Sequence, residues 1–126
     1  MQERERPILL IVDDEPANIK VLCGLLKNDY ELRAANNGEK ALALARSERP
    51  DLVLLDVKMP GIDGYEVCRR IKADPATNKI PVILVTGSMF DEEGRGASAG
   101  AVDFVAKPYS AEVIKARIRA HLPASR

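Results

Sequence analysis

The chain has 126 residues, of which 46% are hydrophobic and 30% are charged, with eight glycines and eight prolines. This profile predicts one globular domain with a proper core, and the chain is too short for two such domains. The 19 basic and 19 acidic residues cancel, so no global field draws the molecule onto nucleic acid or an anionic membrane.

Three features of the sequence indicate the cellular compartment of the protein. The first seven residues, MQERERP, are charged and lack the apolar core of a signal peptide. No apolar run approaches the roughly 18 residues that are needed to span a bilayer. Cys23 and Cys68 lie far apart among apolar neighbours at helical spacing, which predicts two buried free thiols rather than a disulfide or a metal site. We therefore expect a cytoplasmic protein.

Apolar runs and turn signals alternate along the chain as strands and helices. The first run, Ile8–Val12, is continuously apolar, as expected for a parallel strand covered on both faces. Glu15-Pro16 then opens a helix, since proline is favoured in a first helical turn. Further strands are predicted at 31–35, 52–55, 82–85 and 102–106, and further helices around apolar positions at 41–45, 67–71, 91–100 and 113–122. Five strands alternating with five helices indicate a parallel sheet with helices on both faces.

The last two predicted helices differ in how strongly their sequences favour a helix. Gly94 and Gly96 lie in the fourth helix, and each costs roughly 1 kcal/mol relative to alanine in a helix interior. The fifth helix has Ser110 as a candidate N-cap and Pro123 as its end. We expect the fourth helix to be the weaker one and easily remodelled, although a flexible loop without a signalling role fits the same glycines.

Polar side chains follow four of the five strands. Asp13 and Asp14 follow the first strand, Asp56 follows the third, Thr86 the fourth and Lys107 the fifth. The carboxyl ends of parallel strands lie along one edge, where open α/β sheets hold their functional crevice. Because four strands contribute complementary groups, the joint pattern is more specific than any one residue in it.

The charges at this edge need compensation. Two carboxylates about 4 Å apart repel by roughly 4 kcal/mol at an effective dielectric constant of ~20, which corresponds to roughly three pKa units. Lys107 supplies one positive charge, and Mg²⁺ suits a shallow site with oxygen ligands, whereas no Cys or His is placed to hold zinc. A carboxylate beside Mg²⁺, a lysine and a hydroxyl can accept a phosphoryl group by in-line attack. The sequence therefore predicts a phosphoryl-accepting aspartate, Asp56.

These motifs together resemble the receiver domain of two-component response regulators. The matching residues are Asp13-Asp14, Asp56, Met59-Pro60-Gly61 with Asp63-Gly64, Thr86 and Lys107-Pro108. The resemblance covers residues 7–122, so residues 1–6 and 123–126 are expected to be tails. It implies a flavodoxin-like (βα)5 domain of three layers, with a five-stranded parallel sheet of order 2-1-3-4-5.

The resemblance implies a role for each matching residue. Asp56 would be the phosphoacceptor, and Lys107 would pair with its phosphoryl group. Asp14 would be the principal Mg²⁺ ligand of the acidic pair, with Asp13 holding a water molecule of the ion. Asp56 and the backbone carbonyl of Lys58 would complete the metal site. The domain would catalyse only its own phosphorylation and dephosphorylation and would not be an enzyme acting on other substrates.

The resemblance also implies a switch and its partners. Thr86 would turn inward to bond a phosphoryl oxygen, which vacates space for Phe104, the aromatic switch residue, and changes the face formed by the fourth helix, fifth strand and fifth helix. The phosphodonor would be a sensor histidine kinase or a phosphotransfer protein. A homodimer through the same face is a family expectation, with no direct contact to nucleic acid or membrane. A cis peptide is expected between Lys107 and Pro108.

Some charged residues have two interpretations. Lys58 stands where many relatives have an amide or Met; its ammonium either slows autodephosphorylation by competing for the phosphate or is simply solvated. His121 lies near the end of the last helix and is expected to have no catalytic role. The basic residues Lys115, Arg117 and Arg119 are expected to form the solvated side of an amphipathic helix.

Alternative functions make distinct demands on the sequence. A haloacid dehalogenase-type phosphatase needs Asp-x-Asp, but Lys58 stands at the second position. A flavodoxin-like cofactor binder needs a phosphate-cradling loop after the first strand, where Asp13-Asp14-Glu15 would repel phosphate. A receiver that signals without phosphate is disfavoured because no site residue is missing. The output is open, although the run from Gly100 to Arg119 is weakly similar to receivers that precede cyclic-di-GMP cyclases or phosphodiesterases.

Overall fold

The computed structural model describes residues 6–87 and 95–122, which form five strands and five helices in alternation. In chain order, the elements are β1 (Ile8–Val12), α1 (Pro16–Leu26), β2 (Glu31–Ala35), α2 (Gly38–Glu48), β3 (Leu52–Asp56), α3 (Gly64–Ala73), β4 (Val82–Thr86), α4 (Arg95–Ala99), β5 (Asp103–Ala106) and α5 (Ala111–His121). Within these ranges, no helix has the length and apolar character that crossing a membrane requires.

The five strands form one parallel sheet in the order β2-β1-β3-β4-β5. β1 pairs with both β2 and β3, so that Leu10 lies opposite Arg33 on one side and Val53 on the other. β4 then pairs with β3, and β5 pairs with β4. This is the flavodoxin-like order that the family resemblance implies, and it is confirmed.

Two hydrophobic cores cover the two faces of the sheet, which explains why the central strands are continuously apolar. Alternate residues of β1 point to opposite faces, so Leu10 belongs to one core and Leu9 to the other. The first core is completed by the buried sides of α2, α3 and α4. The second is completed by α1 and α5. The result is the predicted three-layer domain.

Side-chain caps explain where three of the helices begin. The side-chain oxygen of Asn37 accepts a hydrogen bond from the Lys40 amide at the start of α2. Ser110 caps α5 in the same way through the Val113 amide, as predicted. Asp63 caps α3 at a point that also borders the candidate site. Each cap satisfies an amide that a helix would otherwise leave without a partner.

The structure differs from several of the sequence-based predictions. Of the helix predicted over residues 91–100, α4 covers Arg95–Ala99, while residues 91–94 lie outside the described residues. β5 begins at Asp103, one residue later than predicted; the preceding residue, Val102, donates its amide to the Val82 carbonyl of β4 and is 45% exposed. Both cysteines are free, as predicted, but Cys68 is buried and Cys23 half-buried, so the prediction that Cys23 is buried was wrong. Pro123, the predicted end of the last helix, lies outside the described residues.

Candidate functional site

The carboxyl edge of the sheet brings the predicted polar residues together. Asp13 directly follows β1, Asp56 is the last residue of β3 and Thr86 is the last residue of β4. All three are buried, with exposed fractions of 3%, 6% and 7%. Lys107 follows β5 and reaches back over this edge. The fold therefore brings these four side chains to the same edge of the sheet, as the sequence pattern predicted.

The three carboxylates form a compact cluster. Asp13, Asp14 and Asp56 each offer an oxygen, and these oxygens all lie within 4.8 Å of one another. The Lys107 ammonium lies 3.3 Å from Asp56 Oδ1 and 3.8 Å from Asp13 Oδ2. One lysine thus lies within ion-pair distance of two of the three carboxylates, and the cluster carries more negative than positive charge.

The electrostatics of Asp56 follow from this geometry. Burial raises the pKa of the Asp56 carboxyl above its ordinary value, and the negative charge of Asp13 is the second largest cause of this rise. The nearby Lys107 ammonium acts in the opposite direction without reversing the shift. The ionised form of Asp56 is therefore held at a cost in free energy, as expected where a protein places a reactive carboxylate.

Backbone hydrogen bonds fix the strand ends that carry these side chains. The Asp13 amide donates to the Ala35 carbonyl at 3.1 Å, and the Lys107 amide donates to the Thr86 carbonyl at 2.7 Å. Asp13 Oδ1 accepts a bond from the Glu15 amide, which orients its carboxylate. The Lys107-Pro108 peptide is cis, as the family resemblance implies.

The loop between β3 and α3 closes tightly on Asp56. Gly61 has a φ of +79°, which favours glycine, and the Gly64 amide donates to the Val57 carbonyl at 2.8 Å. A Cβ at Gly64 would collide with the Asp56 carbonyl oxygen and come within 2.7 Å of Val57 Cα. Glycine at this position lets the start of α3 pack directly against the backbone of the acidic residue.

An open cleft of about 340 Å³ leads to the cluster. It is lined by Asp14, Glu15, Asn18, Asp56, Lys58, Gly87 and Lys107. Glu15 and Asn18 were not predicted to belong to the site. Asn18 donates to the Glu15 carboxylate at 3.2 Å. The available signal was its position in the first turn of α1, three residues after the N-cap Glu15, because side chains at these two positions lie close together at the start of a helix.

The donor set of the cluster fits a hard divalent cation. Its three members supply carboxylate oxygens, with no sulfur or imidazole among them. Mg²⁺ is bound in proteins through one or two carboxylates while several of its water molecules are kept, which suits an open cleft. The acidic cluster is thus consistent with the predicted magnesium site.

Other predicted residues lie away from the cleft. Phe104 is half-buried on β5 and packs against the first core. His121 Nε2 lies 3.1 Å from Asp103 Oδ2, and Arg117 forms two bonds of 2.8 Å to the same carboxylate. Arg117 is therefore an ion-pair partner of β5 and not simply part of a solvated face.

The sequence profile of the response regulator receiver domain matches residues 9–119. The chain belongs to this family of two-component systems. As a receiver domain, it is of the kind that histidine kinases or phosphotransfer proteins phosphorylate and that generally binds Mg²⁺.

Several curated relatives share this domain. The chain is 44% identical over 115 residues to the response regulator PleD of Caulobacter vibrioides, covering 88% of the chain and 25% of PleD. It is 43% identical over 123 residues to a probable cyclic di-GMP phosphodiesterase of Vibrio cholerae, covering 97% of the chain and 28% of that protein. It is 40% identical to the protein PilH of Pseudomonas aeruginosa, covering 90% of the chain and 96% of PilH. The chain thus spans about a quarter of the first two relatives.

Solved structures share the fold. The chemotaxis protein CheY4 of Vibrio cholerae superposes with a TM-score of 0.88 at 26% identity, covering 93% of this chain and 99% of that one. A response regulator from Chloroflexus aurantiacus superposes with a TM-score of 0.87 at 35% identity, covering 91% and 96%. The receiver fold therefore extends over nearly the whole chain.

Proposed function

We propose that this receiver domain is a phosphorylation-driven switch in which Asp56 accepts a phosphoryl group from a sensor histidine kinase or a phosphotransfer protein. The observation that carries the proposal is the position of the Asp56 carboxylate. It ends a buried strand, faces Asp13 and Asp14, and lies 3.3 Å from the Lys107 ammonium at the base of an open cleft.

The transfer uses the carboxylate as nucleophile. An oxygen of Asp56 attacks the phosphorus of a phosphohistidine, the P–N bond breaks, and its electron pair returns to the imidazole nitrogen of the donor. An acyl phosphate remains on Asp56. Lys107 pairs with a phosphoryl oxygen, and the buried Thr86 at the end of β4 lies on the same edge to bond another. Positioning and charge neutralisation supply most of the catalysis in phosphoryl transfer.

We assign the metal site to Asp13, Asp14, Asp56 and the backbone carbonyl of Lys58. Mg²⁺ bound there supplies the positive charge that offsets the three carboxylates and the incoming phosphoryl oxygens. Lys107 alone balances one of these negative charges, so the cation and the lysine act together. The domain modifies itself in this reaction and acts on no further substrate.

The output follows from a shift between two packings. When the Thr86 hydroxyl moves toward the phosphoryl group, Phe104 turns into the space that is released, and the face formed by α4, β5 and α5 changes. The phosphoryl group favours the packing that offers it more contacts. A partner protein or a second copy of the chain binds this face in its changed conformation. The name of one relative, a probable cyclic di-GMP phosphodiesterase, points to control of cyclic di-GMP metabolism as one output of a longer protein.

The test measures Asp56-dependent phosphorylation. Wild type and Asp56→Ala are incubated with Mg²⁺ and acetyl phosphate, and the intact mass of each protein is followed. We expect the wild type to gain one phosphoryl group and Asp56→Ala to gain none, while an excess of a Mg²⁺ chelator abolishes the gain. Asp29→Asn, which changes an exposed carboxylate elsewhere, is the matched control and should react as wild type. Equal labelling of Asp56→Ala would refute the proposal.

A further inference from the structure

The first residue of α4, Arg95, bridges α4 to the start of α3. Its guanidinium carbon lies 4.1 Å from the centre of the Tyr65 ring, and its Nη2 lies 3.7 Å from Asp63 Oδ2. A guanidinium over an aromatic face and beside a carboxylate gains from both contacts. The other end of α4 is also tied to α3, because the Cys68 thiol donates to the Ala99 carbonyl at 3.4 Å.

The two residues that Arg95 contacts are themselves fixed. Asp63 uses its second oxygen, Oδ1, to accept a bond from the Glu66 amide at 2.9 Å, so one carboxylate both caps α3 and pairs with α4. Tyr65 is 7% exposed and belongs to the first core together with Val57 and Met59. Arg95 therefore contacts the rigid end of α3 and not a loose side chain.

Asp63 and Tyr65 flank Gly64, which packs on the backbone of the phosphoacceptor. The Gly64 amide bonds to the Val57 carbonyl, and the space next to the Asp56 carbonyl oxygen is too small for a Cβ. A displacement of the start of α3 is therefore transmitted to the peptide that carries Asp56. The same loop contains Lys58, whose carbonyl we assign to the metal site.

We propose that Arg95 is a positioning residue for the Asp56 site, coupling the placement of α4 to occupancy of the phosphoacceptor through Asp63 and Tyr65. The proposal rests on the proposed function of Asp56. Arg95 is not among the residues that line the cleft, so it acts through the start of α3. This route from Asp56 to α4 is separate from the one through Thr86 and Phe104.

Coupling of this kind is reciprocal. If Arg95 helps to hold the loop in the geometry that accepts a phosphoryl group, then a phosphoryl group on Asp56 must hold α4 more firmly by the same factor. A residue that merely stabilises the fold would not produce this paired effect. The reciprocal response of α4 is therefore the signature to measure.

The experiment compares beryllofluoride, a phosphoryl analogue, binding in the presence of Mg²⁺ to wild type, Arg95→Gln and Arg95→Lys. We expect Arg95→Gln to weaken beryllofluoride binding about threefold to tenfold, and Arg95→Lys, which keeps the charge, to weaken it less. Arg69→Gln is the matched control. Arg69 is an exposed arginine that pairs with Glu66 on its own helix and should leave the affinity unchanged.

Hydrogen exchange measures the reciprocal effect, which is the stabilisation of α4 when the Asp56 site is occupied. In wild type, beryllofluoride should slow amide exchange at residues 97–100, and in Arg95→Gln this gain in protection should be lost. Asp63→Asn keeps an oxygen to cap α3 but removes the charge. We expect it to weaken binding as well, with less than additive effects when combined with Arg95→Gln.

The outcomes separate this inference from the proposed function. Failure of wild-type protein to bind beryllofluoride through Asp56 would overturn the proposed function. Unchanged affinity in Arg95→Gln, with Asp56-dependent binding intact, would overturn the positioning role alone. Weaker binding with an undiminished exchange response at residues 97–100 would also overturn it, because the two effects must accompany each other.

Discussion

At the scale of single residues, Lys58 is the site residue whose role the sequence left open. Its side chain is exposed and lines the cleft two residues after Asp56. An ammonium there can pair with a phosphoryl oxygen or stand in the path of the attacking water. We expect Lys58→Asn to shorten the half-life of the acyl phosphate severalfold, because a pair with a charged group contributes up to about 1 kcal/mol at such an exposed site.

The measurement is the decay of phosphorylated protein after the phosphodonor is removed, followed by intact mass. Lys40→Asn, which changes an exposed lysine in α2 outside the cleft, is the matched control and should leave the decay unchanged. Equal half-lives of wild type and Lys58→Asn would show that Lys58 is solvated and has no part in phosphate lifetime.

The two cysteines should differ sharply in reactivity. Burial raises the pKa of the Cys68 thiol from 9.0 to about 11, and its sulfur is bonded to the Ala99 carbonyl between α3 and α4. The thiolate is the nucleophile in alkylation, so Cys68 should resist iodoacetamide in the native protein at neutral pH. Cys23 is half-buried on α1 and should react first.

Peptide mapping by mass spectrometry checks this order, with protein in denaturant as the control in which both thiols react. A raised thiol pKa also means that the folded protein keeps this proton longer than the unfolded chain. The contribution of Cys68 to stability therefore declines as the pH rises from about 9 toward 11. Faster alkylation of Cys68 than of Cys23 in native protein would contradict the burial of Cys68.

The site residues show which interactions can be predicted from sequence. Asp13, Asp56 and Lys107 were predictable because each follows an apolar strand, and a parallel sheet brings such ends together. The contact of Arg95 with Asp63 and Tyr65 was not. It joins residues about 30 positions apart whose pairing depends on how α3 and α4 are rotated about their axes, and no periodic pattern contains that rotation.

At the scale of elements, two glycines should respond to alanine with opposite signs. Gly24 is exposed in the interior of α1, and a Cβ there would meet no atom within 4 Å. Gly100 follows α4 with a φ of +99°, and its Cβ would lie 2.7 Å from Lys72 Cγ. We expect Gly24→Ala to stabilise the protein by up to about 1 kcal/mol and Gly100→Ala to destabilise it by roughly 1–2 kcal/mol.

Urea unfolding of the two variants and wild type gives both free energies, and each variant is the control for the other. A stabilising Gly100→Ala would mean that the left-handed turn after α4 is not required. The comparison also tests the helix assignments, because an alanine stabilises only where the backbone is helical.

Element boundaries were predictable where a local signal marks them. The bounds of β1 and β2 were predicted to the residue, since each is bordered by turn signals, and Ser110 marked the start of α5. β3 and β4 each extend one residue further than predicted, because the polar residues Asp56 and Thr86 still pair in the sheet. Polarity alone does not end a strand when its neighbours continue the ladder.

At the scale of the whole molecule, placing the ionised Asp56 at the site lowers the free energy of unfolding. Both hydrophobic cores stabilise the sheet, and the sheet holds Asp56 beside Asp13 at its carboxyl edge, where burial and repulsion disfavour the ionised form. A protein whose function needs a charge in such a place is less stable than one without it. Stability and phosphorylation are therefore expected to oppose each other at this residue.

This opposition gives a prediction for Asp56→Asn, which keeps the shape of the side chain and removes its charge. In the presence of a chelator at neutral pH, Asp56→Asn should be more stable than wild type, because burial and the neighbouring Asp13 disfavour the ionised carboxylate that the variant lacks. Added Mg²⁺ should stabilise wild type by roughly 2.7 kcal/mol when the ion is present at one hundred times its dissociation constant, and it should stabilise the variant less.

The pH dependence of the difference has a definite sign. The pKa of Asp56 is higher in the folded protein than in the unfolded chain, where it is near the ordinary value of 3.8. The penalty is therefore complete above the raised pKa and disappears as the pH falls toward the unfolded value. The advantage of Asp56→Asn, measured by thermal unfolding in chelator, should shrink as the pH is lowered, with Asp29→Asn as the control for the loss of an exposed carboxylate. An advantage that grows on acidification would mean that Lys107 outweighs burial and Asp13, and that the ionised carboxylate stabilises the fold.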